Sequence, residues 1–274
     1  MRVAAHDTGT GSWHHGLVAR WWAEFNEPEA REVDYLRSAI DGYGQPALDV
    51  GCGAGRLTLP LLKAGLHVDG VDVSADMLAY ARAAADSAGF KPNFRRQAIH
   101  ELDMPHRYRT VFVVGTLGIG GDRDRDREGL NRIYRHLEPG GTLLVNHELP
   151  WAAMGERQWP LWRSARSADL PRPWPHSGDR KRLPDGDEIE LLIRTSAFDR
   201  LEQVMTMDMR ARLWRDGEVV REEESQLREG LYFAHEVESL LRATGFESVE
   251  IESGYSGQSA TADDDEVMFV ARKP

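Results

Sequence analysis

From residue 46 the chain alternates between two hydrophobic rhythms. Short apolar runs, expected as strands near 46–50, 67–71, 93–97, 110–114 and 142–147, are separated by helical spacings near 55–64, 75–88 and 126–137. Val111-Phe112-Val113-Val114 and Leu143-Leu144-Val145 show no polar alternation, as strands covered on both faces require. Strands alternating with helices predict a parallel sheet with helices on both faces. Ligands of such sheets lie at the carboxyl ends of the strands. Here those ends fall at 49–55, 72, 97–99, 115–118 and 146–148. A further helix is expected at 235–244, closed by Gly245, and two last strands at 249–251 and 266–270.

Three stretches depart from this rhythm. Residues 1–12 are polar and glycine-rich, and read as a mobile arm. Val18, Trp21, Trp22 and Phe25 then follow helical spacing, with Trp13, His14 and His15 just ahead, and a second helix spans 29–40. This aromatic segment is either a helix packed on the core or a lid over a ligand. Residues 151–180 hold Trp151, Trp159, Trp162 and Trp174 among prolines and arginines, and read as a cover facing the substrate. After 180 the period becomes two. Ile189, Leu191 and Ile193, then Met205, Met207, Met209, Ala211 and Leu213, each mark one face of a strand, and Asp216-Gly217 marks a hairpin turn. A three- or four-stranded antiparallel sheet with one apolar face is expected. Its methionine stripe suits a pliable ligand surface, but core or a homodimer contact is the preferred reading.

Composition narrows the classes. At 274 residues the chain can bury one full core plus an insertion. A net charge of −11 argues against a general nucleic-acid footprint. Cys52 is the single cysteine, so no intrachain disulfide can form, and a cytoplasmic location fits. The N-terminus lacks a long apolar segment, and no run reaches the ~18 residues of a membrane span. No His, Cys or carboxylate cluster has metal-ligand spacing. The alternating charges of 122–127 read as a solvated, self-paired helix start, and Asp263-Asp264-Asp265 as a solvated loop.

The chemistry concentrates at Asp49-Val50-Gly51-Cys52-Gly53-Ala54-Gly55. A strand feeds a glycine loop that opens a helix, the pattern of a nucleotide site. The spacing is Gly-x-Gly-x-Gly, whereas the dinucleotide fingerprint is Gly-x-Gly-x-x-Gly. Asp72 ends the next strand, where an acidic residue meets ribose hydroxyls. Ser74 is an N-cap candidate for the helix that follows.

These motifs, with Leu137-Glu138-Pro139-Gly140-Gly141, resemble three motifs of class I S-adenosylmethionine-dependent methyltransferases. The resemblance implies an α/β fold: a Rossmann-like, mostly parallel seven-stranded sheet, plus a small antiparallel β insertion like that of aminosugar N,N-dimethyltransferases. It divides the chain into an N-terminal helical lid (1–45), a cofactor-binding core (46–150), an irregular cover with the antiparallel insertion (151–230), and a last helix with two strands (231–274). S-adenosyl-L-methionine is the implied cofactor, met by Asp49, Gly51, Gly53, Gly55, Asp72, Val73, Met77, Ala98, Ile99 and Gly115. The family's acidic adenine contact falls at Ala98, leaving Gln97, backbone or water to replace it.

The acceptor is expected to be a small molecule with an N or O nucleophile. Its site is placed between Trp21, Trp22 and His14, the end of the fifth strand, and the 151–180 connection. His147 and Glu148 are the candidate catalytic groups, with His15 and His235 as further bases. The rival readings are an NAD-dependent oxidoreductase, disfavoured by the glycine spacing, and a non-catalytic S-adenosylmethionine-binding protein.

Overall fold

The computed structural model describes residues 14–150 and 170–274. The main sheet is built from β1 (Ala47–Val50), β2 (Val68–Asp72), β3 (Phe94–Arg96), β4 (Tyr108–Val114) and β5 (Leu137–Glu148). A second sheet follows: β6 (Asp179–Arg182), β7 (Glu188–Asp199), β8 (Val204–Arg215) and β9 (Glu218–Gly230). β10 (Ser248–Ser253) and β11 (Glu266–Arg272) return to the first, whose spatial order is β10-β11-β5-β4-β1-β2-β3. The apolar runs of β4 and β5 lie side by side, with Val111 opposite Leu143 and Val113 opposite Val145. β11 is antiparallel to both β5 and β10, the one reversed strand. The chain's direction of travel across the sheet reverses between β1 and β4, which opens a crevice at their carboxyl ends.

Among the described residues six α-helices occur, in chain order α1 (Gly16–Phe25), α2 (Ala30–Tyr43), α3 (Thr58–Lys63), α4 (Ala75–Ser87), α5 (Arg123–His136) and α6 (Ala234–Thr244). Alternate residues of each central strand serve opposite faces. Phe112 and Leu144 pack with Leu36 and Ile40 of α2 and Leu61 of α3. Val111, Val113 and Val145 pack with Leu130 and Ile133 of α5 and Val237 and Leu241 of α6.

In the second sheet, α1 covers the apolar face. Leu17, Val18 and Trp21 pack on Leu191, Met209, Ala211, Leu213 and Leu227. The methionine stripe is therefore core, and its face needs no second copy of the chain to cover it. The opposite face carries rungs of paired charge: Arg194–Asp208, Arg210–Glu224 and Arg212–Glu222. Trp174 lies between the guanidinium groups of Arg194 and Arg210, so this part of the expected cover rests on the charged face. Trp13, Trp151, Trp159, Trp162 and the N-terminal arm lie outside the described residues.

Two features correct the expectations. β5 begins at Leu137, so the Pro139-Gly140-Gly141 motif belongs to the strand's irregular entry. The charge run is not wholly solvated. Asp122 caps α5 by accepting from the amides of Asp124 and Arg125, but Arg123 and Asp126 turn inward. The signal was helical phase: Asp126 precedes Leu130 and Ile133 on the buried stripe.

The two sheets are joined by main chain. The Gly230 amide donates to the Gly118 carbonyl at 2.8 Å, and the Gly120 amide to the Arg228 carbonyl at 2.8 Å. The loop after β4 thus continues the edge of β9. Gly118 has φ +91°, and a Cβ there would sit 2.3 Å from the Gly230 carbonyl oxygen. Gly120 has φ +101° with nothing within 4 Å of the same added atom. Gly118→Ala should therefore cost ~3 kcal/mol, and Gly120→Ala, which carries only the backbone penalty, about 1 kcal/mol. Urea unfolding of both variants checks this; equal losses would show that the junction is not where the strain falls.

Candidate active site

The glycine loop is held from three sides. Gly51 has φ +82°, and a Cβ there would strike Thr116, whose Oγ1 would be 2.1 Å away. The bare backbone lets the β1 and β4 loops close on each other. Asp72 ties the loop to the end of β2: one carboxylate oxygen accepts the Gly53 amide at 2.9 Å, the other the Ser74 amide at 2.7 Å. Arg56, just past the loop, forms a two-pronged ion pair with Glu32 of α2. Ser74 does cap α4, accepting from the Met77 amide.

Burial dominates the electrostatics here. It raises the Asp72 carboxyl, against the Ser74, Gly53 and Val73 amides that pull it down. It pushes Asp49 up to about 7, with the nearby Asp72 charge adding to the shift and the Thr58 hydroxyl, 2.7 Å away, opposing it. The Cys52 thiol is raised far above its usual range by burial and by both carboxylates, and it packs with Leu78, Ala81 and Phe94. It is a packing residue.

The remaining cofactor candidates ring the loop. The Met77 methyl would meet a Cβ on Gly53 at 3.2 Å. Val73 follows Asp72 and its carbonyl accepts from Arg96. Ala98 opens a 3₁₀ turn over Ile99–Glu101, and Ile99 packs on Gly129 of α5. Both polar atoms of the Gln97 amide bond the Asp103 backbone. One donor and one lone pair of the Gln97 amide are thus already engaged. S-adenosylmethionine fits what is present: close backbone at Gly51 and Gly53, and an Asp72 carboxylate whose four lone-pair sites are only half used.

Beside the loop lies a cavity of about 510 Å³. Gly115, Thr116 and Leu117 line it after β4, with Asn146, His147 and Glu148 at the end of β5. Glu229 of β9, Asp265, Glu266 and Arg31 of α2 complete it. Acidic groups outnumber the single arginine. Arg31 approaches Glu266 at 3.4 Å, and Glu266 also accepts from Asn146 at 3.0 Å. Among the described residues no cation pairs with Glu148, which is exposed at the rim, or with the half-buried Glu229. Burial and the charges of Glu266 and Asp265 raise Glu148, while burial and Glu148 raise Glu229 to about 6.

His147 is 9 % exposed, and its Nε2 lies 2.7 Å from the Tyr232 carbonyl. A carbonyl only accepts, so Nε2 carries the proton. Burial lowers the ring's pKa, and the neutral ring keeps its lone pair on Nδ1.

The structure brings His147, Glu148 and Gly115 together at this cavity, but not the aromatic segment. Trp21 and Trp22 stack edge to face with ring centroids 5.3 Å apart, and Trp21 is buried in the cluster beneath α1. His14 packs on Trp22, and burial lowers its pKa to about 3. The apolar face of the second sheet takes up Trp21 and Trp22, whereas His14 lies on the glycine-loop side, its carbonyl accepting from the Ser74 hydroxyl. His15 is exposed, and His235 is exposed beside Glu238 at the start of α6.

Glu229, Asp265 and Glu266 were missed. Glu229 had a signal: it shares the inward phase of β9 with Leu227, opposite Met205, where a charge is out of place. Glu223, on the same phase, accepts the Leu17 amide and, with Asp76 on the Gly16 amide, caps α1. Asp265 had none, since an acidic triplet in a loop reads as solvated.

Comparison with known proteins fits this geometry. Residues 47–141 match the methyltransferase-domain family. A methyltransferase of Geobacillus sp. is 27% identical over 244 residues, which cover 87% of this chain and 90% of that protein. A ubiquinone biosynthesis O-methyltransferase of Marinobacter nauticus is 33% identical over 137 residues, covering 47% of this chain and 58% of that one. A solved sugar N-methyltransferase from Streptoalloteichus superposes with TM-score 0.70 at 16% identity, covering 100% of this chain and 98% of that one. The fold, the glycine loop and these matches define the class: the chain is an S-adenosylmethionine-dependent methyltransferase.

Asp72→Ala should raise the dissociation constant for S-adenosylhomocysteine by about 10²-fold, since hydrogen bonds to a charged group contribute ~1.5–3 kcal/mol each. It should also lower stability, because the Gly53 and Ser74 amides lose their acceptor. Calorimetry and urea unfolding test both. An unchanged affinity, or tighter binding of NAD than of S-adenosylhomocysteine by the wild type, would refute the assignment of the loop.

Proposed function

We propose that the chain transfers the methyl group of S-adenosylmethionine to an amine of a small cationic molecule held in the carboxylate-lined cavity. One observation carries this reading. Glu148, exposed at the cavity's rim, and Glu229, half-buried within it, are each raised by burial and by neighbouring acids, and among the described residues no cation pairs with either. Unpaired carboxylates in such a place are costly, and an ammonium group relieves the cost. The cofactor side is assigned to Asp49, Gly51, Gly53, Gly55, Asp72, Val73, Met77, Ala98, Ile99 and Gly115.

S-adenosylmethionine, when bound, supplies a methyl group on a positively charged sulfur. The chain's task is alignment of the attacking nitrogen with that methyl. Glu148 and Glu229 hold the amine as an ammonium ion. An ammonium nitrogen has no lone pair, so one proton must leave before attack. The His147 ring lines the cavity with Nε2 bonded to the Tyr232 carbonyl, which supports Nδ1 as the atom that takes it. The walls contributed by β9 and the loop after β4 limit water at the reacting centre.

A panel of primary and secondary amines, with phenols and carboxylates as controls, tests the reading through formation of S-adenosylhomocysteine. Cationic amines should turn over, and phenols alone turning over would refute it.

The pH dependence has a fixed sign. Glu229 is raised in the folded state, so the folded chain binds more protons than the unfolded one between about 4.5 and about 6. Stability should fall as pH rises through that window, and Glu229→Gln should flatten the fall. Over the same window KM for the amine should drop as the carboxylate ionises. A KM that stays flat in the wild type would remove Glu229 from acceptor binding.

A further inference from the structure

A buried polar network outside the glycine loop lies behind His147. Tyr232, in the short connection between β9 and α6, is fully buried. Its carbonyl accepts from His147 Nε2 at 2.7 Å, while its hydroxyl donates to Asp126 of α5 at 2.7 Å. Asp126 is 3 % exposed. Arg123, one turn before Asp126, lies over the Tyr232 ring at 4.3 Å and donates to the Leu231 carbonyl at 3.0 Å and to Gln203 at 2.8 Å. The connection is thus pinned from both sides by α5, and the pinned element presents one carbonyl to the histidine.

We propose that Asp126 and Tyr232 are positioning residues that hold His147 as the Nε2-protonated tautomer and so keep Nδ1 available as the proton acceptor for the acceptor amine. This rests on the functional reading above for what Nδ1 does, but not for the tautomer itself. An imidazole has two exchangeable nitrogens, and the one not bonded to a fixed partner takes whichever role remains. A carbonyl that could drift would let the proton move to Nδ1, and the ring could then no longer accept from the substrate. The Tyr232 hydroxyl is remote from the carbonyl along its own side chain, yet it decides where that residue's backbone sits. Burial makes the choice stringent, because an unpaired Nε2 proton or an unpaired Asp126 would be costly there.

The charged groups bearing on this network come from every neighbouring element. Glu236 of α6 acts on the ring of His147. Asp122 and Arg123 act on Asp126, which also accepts from the Gly118 amide. The cavity acids Glu148, Glu229, Asp265 and Glu266, with Arg31, line the same space as His147.

The test compares wild type with Tyr232→Phe, Asp126→Ala and Asp126→Asn. First, nitrogen NMR of histidine-labelled protein, with His147→Gln used to assign the resonance, reads the tautomer directly. The wild type should show a proton on Nε2 and titrate below the ordinary 6.5. Tyr232→Phe and Asp126→Ala should lose the tautomer preference and titrate further below 6.5, because the carbonyl bond that favours the charged ring is weakened. Asp126→Asn, whose amide oxygen still accepts the hydroxyl, should keep it.

Second, kcat for an amine acceptor should fall about 10-fold in Tyr232→Phe and Asp126→Ala, a part of the 10²–10⁴ that a general base contributes. Its acid limb should move to lower pH, with S-adenosylhomocysteine affinity unchanged, and Asp126→Asn should recover most of the rate. A lower melting temperature with an unmoved tautomer and acid limb would reduce the network to a structural role and overturn the proposal. A proton found on Nδ1 in the wild type would also overturn it, even with amine turnover intact. Absence of amine turnover alongside the expected tautomer would refute the functional reading and leave the tautomer assignment standing.

Discussion

The active-site region depends on the main-chain pairing of Gly118 and Gly230. The parallel sheet by itself offers a crevice open to water on one side. Two hydrogen bonds at 2.8 Å, reaching Gly118 and Arg228, bring the end of β9 to the loop after β4 and close that side. Glu229 reaches the cavity because it lies between Arg228 and Gly230. Tyr232, two residues past the junction, reaches His147 for the same reason. The joint requires a residue without a side chain at Gly118, where any Cβ would meet the partner's carbonyl. The geometry of the acceptor space is thus set by backbone, and its chemistry by the side chains around it.

Those side chains show a consistent division of charge. Around the glycine loop each acidic group has a donor: Asp72 has two amides, Asp49 has Thr58, and Glu32 has Arg56. In the cavity Glu266 has Asn146 and Arg31, whereas among the described residues Glu148 and Glu229 have no cationic partner. A satisfied network stabilises a fixed shape, and an unsatisfied one stores a preference for a ligand. The first suits a loop that must keep one shape, and the second suits an acceptor that arrives with positive charge.

Much of this was legible in the residues. The strand rhythm and the two-residue period of the second sheet follow from side-chain periodicity, which is local, whereas a sheet that is only mostly parallel was implied by the family resemblance. The glycine spacing and Asp72 were legible because close backbone approach restricts residue choice. The aromatic segment left two readings open for a physical reason. Trp21 and Trp22 satisfy helical spacing equally well whether their stripe faces a ligand or a sheet, and only the sheet's uncovered apolar face decides between the two. Asp126 hid in a run of alternating charge, although its helical phase matched the buried Leu130 and Ile133. Asp265 and Glu266 could not be found, because their place depends on a loop returning to the end of β5 from more than a hundred residues away.

The claim at the centre of this account is that the acceptor's nitrogen lies between the acids of β5 and β9. A crystal structure of the chain with S-adenosylhomocysteine and a methyl-accepting amine measures it. The account predicts the nitrogen within hydrogen-bond distance of Glu148 or Glu229, with the sulfur facing it from beside Gly115. A nitrogen seated against Trp21 and Trp22, or anywhere outside the cavity lined by His147, would contradict it.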